Sequence, residues 1–160
     1  MRLAAVCCAA AALAGCGLTN SPADNLTFSP PSGWQASPGI LGFMQFWKPP
    51  HADDEVLMLF KSPKPIDPHA AFEDAKLNDA AVQSRQTIHI CGNQPAEYVT
   101  ARGTSASVNL GNATAQKRND MVQIVIFTNS AASYMSMYAY PEGRSPDPQA
   151  VAALRELCAK

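Results

Sequence analysis

The sequence of 160 residues carries 12 basic and 13 acidic side chains for a net charge of −1, with 47% apolar and 16% charged residues. The apolar content excludes wholesale disorder, and the near-neutral balance gives neither an electrostatic footprint for nucleic acid nor a polybasic patch for anionic lipid heads. Thirteen prolines forecast many loops and few helices.

The chain opens with Arg2 and then an uncharged, apolar run from Leu3 to Gly15 that closes on small residues. This is the pattern of a secretory signal peptide. As a helix the run would reach only about 20 Å, short of the roughly 30 Å hydrocarbon core, so a cleaved leader is the better reading than a membrane span. The tetrapeptide Leu13-Ala14-Gly15-Cys16 resembles the bacterial lipobox. That resemblance implies a diacylglycerol thioether on Cys16, cleavage just before it and acylation of the new amine. At about 0.8 kcal/mol per buried methylene, two or three acyl chains would hold the protein on a membrane essentially permanently. The alternative is ordinary cleavage that leaves a free thiol at Cys16. Gly17, where aspartate would favour retention at the inner membrane, permits export to an outer one. The expected organisation is a signal peptide over 1–15, a lipidated flexible tether over 16–25 and a single domain over 26–160. That domain is exported and faces the periplasm or the extracellular side.

Five cysteines are present, of which Cys7 and Cys8 lie in the leader and Cys16 is the lipidation site. Cys91 and Cys158 remain, an even pair in an exported protein, where disulfides persist. A bond closing the 67 residues between positions 91 and 158 would stabilise the fold by about 4 kcal/mol in the chain-entropy model. The alternative is two unrelated buried thiols.

In chain order, Thr27-Phe28 open a short strand that stops at Pro30-Pro31-Ser32-Gly33, a turn by composition, with Trp34 as a core lid. Gly39 to Lys48 reads as the next strand, with apolar residues on both faces, hence a sheet covered on both sides. Residues 49–54 reverse the chain, and Glu55 to Lys61 pairs back as a hairpin. Asp67 as N-cap and Pro68 at the first helical position start a helix over 68–78. Strands follow at Arg85–Cys91, Ala96–Arg102 and, faintly, Ala106–Leu110. Thr114–Arg118 is expected to form a hairpin turning at Asn119-Asp120. Met121–Phe127, dense in Val and Ile, is the clearest strand. Ser133–Tyr140 alternates, with Tyr134, Ser136 and Tyr138 on one face and Met135, Met137 and Ala139 on the other. Asp147 and Pro148 start a last helix over 148–158 whose apolar face carries Val151, Leu154, Leu157 and Cys158. The fold class is α+β: an antiparallel sheet of about six or seven strands with two helices, 68–78 and 148–158, packed on it.

Phe28 leading into Pro31-Ser32-Gly33-Trp34, the hairpin after it, the helix at 68–78, the strand Ser133–Tyr140 and a terminal helix together resemble the PsbP-like superfamily. The resemblance covers most of the domain in order and texture, and its local signature is Pro-x-Gly-Trp. It implies helices on both faces of an antiparallel sheet. Bacterial envelope lipoproteins of this kind are similar to assembly or accessory proteins rather than enzymes.

For metal, the candidate residues are His51, Asp53, Asp54 and Glu55, which lack the glycine and alternating spacing of an EF-hand and read more simply as a solvated hairpin tip. His69 falls in the first turn of a helix. His89 next to Cys91 invites a nucleophile reading, but a disulfide would engage that thiol. No nucleophile elbow, phosphate loop or dinucleotide fingerprint occurs. The aromatic and methionine residues of the strands, among them Phe46, Trp47, Tyr134 and Met137, read as core or as the wall of an apolar groove. The expectation is therefore a non-enzymatic, cofactor-free envelope lipoprotein. Its partners would be the membrane, through its lipid, and a protein; the alternative is a small-ligand or lipid-binding module.

Overall fold

The computed structural model describes residues 21–65, 67, 81–109 and 114–159. Its centre is a seven-stranded antiparallel sheet in the order β2-β3-β4-β8-β7-β6-β5. The strands are β2 (Gln35–Ala36), β3 (Met44–Lys48), β4 (Val56–Lys61), β5 (Ala81–Ile90), β6 (Gln94–Asn109), β7 (Thr114–Thr128) and β8 (Ser133–Pro141). A second, two-stranded sheet pairs β1 (Leu26–Thr27) with β9 (Cys158–Ala159). Among the described residues there is one α-helix, α1 (Pro148–Arg155). The expected helix 68–78 and His69 lie outside the described residues.

The alternation of β8 fixes how the sheet is buried. Tyr134, Ser136 and Tyr138 point into the main core, where they meet Leu57, Leu59 and the helix residue Leu154. Side chains one residue out of phase form a smaller cluster on the opposite face, in which Val99, Ile124 and Ile126 are buried and Met135 and Met137 partly so. The central strands β6, β7 and β8 thus serve two apolar faces. The sheet's edges are β2 and β5, and β5 carries a bulge between Val82 and Ser84. Bulges and polar side chains such as Gln83, Ser84 and Arg85 discourage strand addition from outside.

Several boundaries depart from the sequence expectation. The strand expected over 39–48 begins only at Met44, because Ile40 to Met44 closes as a tight turn with Leu41 at φ 50 and Gly42 at φ 73. A glycine reaches that left-handed backbone freely and so marks the turn. No reversal occurs at Asn119-Asp120: β7 runs straight through it, pairing Gly103↔Asp120 and Thr104↔Asn119. Long-range pairing overrode a local turn signal there, and the ladder continues as far as Asn109↔Thr114. From Thr104↔Asn119 to Asn109↔Thr114 the β6–β7 hairpin runs on past the ends of β5 and β8. The terminal helix ends at Arg155 rather than 158. Cys158 instead pairs with Thr27 in a strand, which gives its backbone a ladder partner that another helical turn would remove. The tether expected over 16–25 is folded in its described part: Ser21 caps a one-turn 3-10 helix, Pro22–Asn25, in which Pro22 is fully buried.

Candidate functional site

The register places two contrasting clusters at opposite ends of the sheet. At one end meet the turns 40–43, 91–93 and 129–132, since Met44 pairs with Phe60, Lys61 with Tyr134, and Thr128 with Ser133. Here the β5–β6 turn holds Cys91 at φ 53 and Gly92 at φ 81. Cys91 is bonded to Cys158, with Cα atoms 5.3 Å apart. The bond links the edge hairpin to the strand after α1, and through β9 to the first strand of the domain. The pairing expected from the cysteine count is present.

At the other end, the loop read as a metal candidate has a different occupation. Arg144, in the turn between β8 and α1, reaches Asp54 at 3.0 Å and Glu55 at 3.1 Å. Glu55 also accepts a hydrogen bond from the buried Tyr138 hydroxyl at 2.7 Å, and that oxygen accepts the Asp147 amide N–H at 3.0 Å. Burial, with help from the Glu55 carboxylate, pushes the Tyr138 phenol well above the usual tyrosine range. Hydrogen bonds to Glu55 and Asp54 likewise raise Arg144. His51 and Asp53 are exposed on the same loop and stand apart from this network. Among the described residues no group of three or more His, Cys, Asp or Glu is placed to hold a metal ion. The cluster instead pins the β3–β4 loop to the start of α1, where Asp147 accepts the N–H groups of Gln149 and Ala150 and Pro148 occupies the first turn. The sequence could not show this, because Arg144 lies 90 residues from Asp54.

His89 is exposed and paired with Pro95 on β6, and its neighbour Cys91 is in the disulfide. Cys91 therefore offers it no thiolate to activate. The strand aromatics are packed with one another: Tyr138 stacks on Tyr140 at 5.0 Å and Phe127 on Tyr134 at 5.0 Å. Between Tyr98 and Tyr140 sits the buried Gln123, which accepts from the Tyr98 hydroxyl and donates to that of Tyr140. This polar bridge inside an apolar layer was not anticipated.

A groove of about 470 Å³ opens on the opposite face of the sheet, near the strand ends of β5, β6 and β7. Its walls include Arg85, Thr87, Glu97, Ile126 and Thr128. Arg85 on β5 and Glu97 on β6, diagonal neighbours across the two strands, form an ion pair, Nε to Oε1 at 3.2 Å. The groove has the size of a small-molecule site, but it is open, and its two opposite charges already face each other.

Comparison with known proteins places this geometry. No family model and no curated protein matches the sequence. Among solved structures, the solution structure of the cyanobacterial PsbP protein CyanoP from Synechocystis sp. PCC 6803 is similar, with a TM-score of 0.55 and 16% identity over 93% of this chain and 98% of CyanoP. The likeness is one of fold. A crystal structure from Bacteroides thetaiotaomicron is similar at a TM-score of 0.52 and 14% identity. It covers 89% of this chain, which spans only 47% of that protein. The sheet therefore resembles CyanoP, as the order of elements along the sequence implied.

Proposed function

We propose that the protein is an exported, lipid-anchored protein of the bacterial cell envelope, whose PsbP-like domain serves as a non-enzymatic accessory module for a protein partner. The observation that carries this reading is the Cys91–Cys158 bond. Such bonds persist outside the reducing cytosol, and a leader ending in Leu13-Ala14-Gly15-Cys16 supplies the route there. The site residue is thus Cys16, as the point of acylation. The groups best able to do chemistry have structural uses: Cys91 is cross-linked, and Asp54 and Glu55 are paired with Arg144.

Palmitate labelling and membrane fractionation test the anchor. The wild-type chain should take up label and sediment with membranes, while Cys16→Ala should lose the label and leave the membrane. Label entering Cys16→Ala equally would contradict the assignment. Cross-linking in intact envelopes tests the accessory role, and failure to recover any reproducible partner would count against it.

The alternative of a small-ligand or lipid-binding module draws on the open groove beside Arg85 and Glu97. A ligand there should lose affinity on Thr87→Trp, which fills the groove from the exposed edge strand. Binding unaffected by that substitution would dispose of this reading.

A further inference from the structure

We propose that the turn Ile40–Phe43 is a second membrane contact, dipping into the interfacial layer of the same bilayer that holds the acyl chains of Cys16. The inference rests on the anchoring reading above and adds to it an orientation of the domain. Its first ground is placement. The Ser21 hydroxyl hydrogen-bonds the side chain of Gln45, and Pro22 behind it is fully buried. Gln45 is next to Met44, which closes the turn by exchanging backbone hydrogen bonds with Ile40. Only the links from residue 16 to residue 21 separate the anchor from this point, a reach of at most about 17 Å. The 40–43 turn therefore stands at the end of the sheet from which the tether leaves, within a tether's length of the bilayer.

The second ground is chemistry. Ile40 is 38% exposed and Leu41 61%, two of the three exposed large aliphatic residues among those described. They are adjacent and sit at the tip of a turn. Leu41 also takes a left-handed backbone at φ 50, which disfavours a leucine and favours glycine or asparagine. With 61% of its surface exposed, Leu41 recovers little packing to offset the strain, so a turn facing only water has little use for a leucine there. A turn facing lipid does, because the strained backbone presents the side chain outward. Behind the tip, Phe43 packs edge-on against Phe60 at 6.2 Å, which stiffens the base of the turn. Lys64 is exposed at the same end, where β4 terminates, and provides one cation at headgroup level. The third exposed aliphatic residue, Val82, lies at the far end of the sheet.

The test uses the full acylated chain, purified from membranes and reconstituted in phosphatidylglycerol–phosphatidylcholine vesicles with or without brominated acyl chains. Leu41→Trp adds an indole at the tip, and Ser145→Trp adds one in the exposed turn at the opposite end. Both are read against the parent chain, whose Trp47 is buried and whose Trp34 packs on Tyr138. An insertion depth of about 5–10 Å predicts that bromine quenches the Leu41→Trp indole by roughly half and leaves that of Ser145→Trp unchanged. An acylated chain whose Leu41→Trp indole is untouched by bromine overturns the inference and leaves the anchor standing; a turn that docks on a protein gives this same result. A chain whose mass shows no acyl groups overturns both. A nitroxide at Ile40→Cys, read by its accessibility to oxygen against a water-soluble nickel chelate, decides the matter independently should Leu41→Trp fail to fold. Greater access to nickel than to oxygen contradicts the proposal.

Discussion

The two ends of the sheet are closed by different means. At one, a covalent bond and a two-residue ladder fasten β1, β9 and the β5–β6 turn together. At the other, a polar network of Arg144, Asp54, Glu55 and Tyr138 fastens the β3–β4 loop to the start of α1. Covalent closure suits strands too short to hold by pairing alone, for a two-residue ladder is far from stable in water. The polar end can rely on hydrogen bonds because one member, Tyr138, is buried and shielded from competing water. The end with the cross-link is also the end where Ser21 meets Gln45.

The largest way to break this contrast is to remove the cross-link. Cys91→Ser with Cys158→Ser should lower the unfolding free energy by about 4 kcal/mol, read by chemical denaturation under non-reducing conditions. Amide exchange should quicken first at Leu26, Thr27 and Cys158, while the Arg144 end keeps its protection. Equal loss of protection at both ends would show that they are not independent.

Next in size is Tyr138→Phe, which leaves the Glu55 carboxylate and the Asp147 amide without their shared partner. A cost of about 2 kcal/mol is expected, since removing one member of a buried pair leaves the other unsatisfied. The pH dependence has a definite sign. The folded phenol is raised above its unfolded value near 10, so its contribution is complete below pH 10 and is lost as pH climbs towards the folded value. Wild type should therefore lose stability above about pH 10 more steeply than Tyr138→Phe. Parallel alkaline curves would contradict the network.

Smaller again is Asp147→Ala, which removes the N-cap of α1 and should cost about 1 kcal/mol in thermal or denaturant unfolding. Smallest is Arg144→Ala. Its guanidinium is exposed, and surface ion pairs contribute little, so its effect should be hard to distinguish from wild type and should shrink further in high salt. A large loss that shrinks in high salt would mean the cluster depends on its charges rather than on Tyr138.

Much of the fold was legible in the sequence, for reasons that the exceptions make clear. The alternation of β8 and the Asp147-Pro148 start of α1 were readable because strand period and helix capping are local properties. The cysteine pair was readable by elimination. Asn119-Asp120 misled because a turn signal carries no information about the strands that pair on either side of it. Cys158 misled because i, i+3 and i, i+4 spacing with Leu154 and Leu157 looks helical until a ladder with Leu26–Thr27 is known. The engagement of the acidic loop with Arg144 and Tyr138 depends on contacts across more than 80 residues, which no local pattern encodes. The run from Gly39 to Lys48 reads as one strand that includes Ile40 and Leu41, and only the positive φ of Leu41 and Gly42 reveals the turn.

The central claim is that this chain is acylated at Cys16 and oxidised between Cys91 and Cys158. Intact mass of the protein extracted from membranes without reductant tests both at once. The account predicts a chain beginning at Cys16, heavier by a diacylglycerol or a further acyl group and lighter by two hydrogens for the cross-link. A mass equal to the unprocessed sequence from Met1, with every thiol reactive, would contradict it.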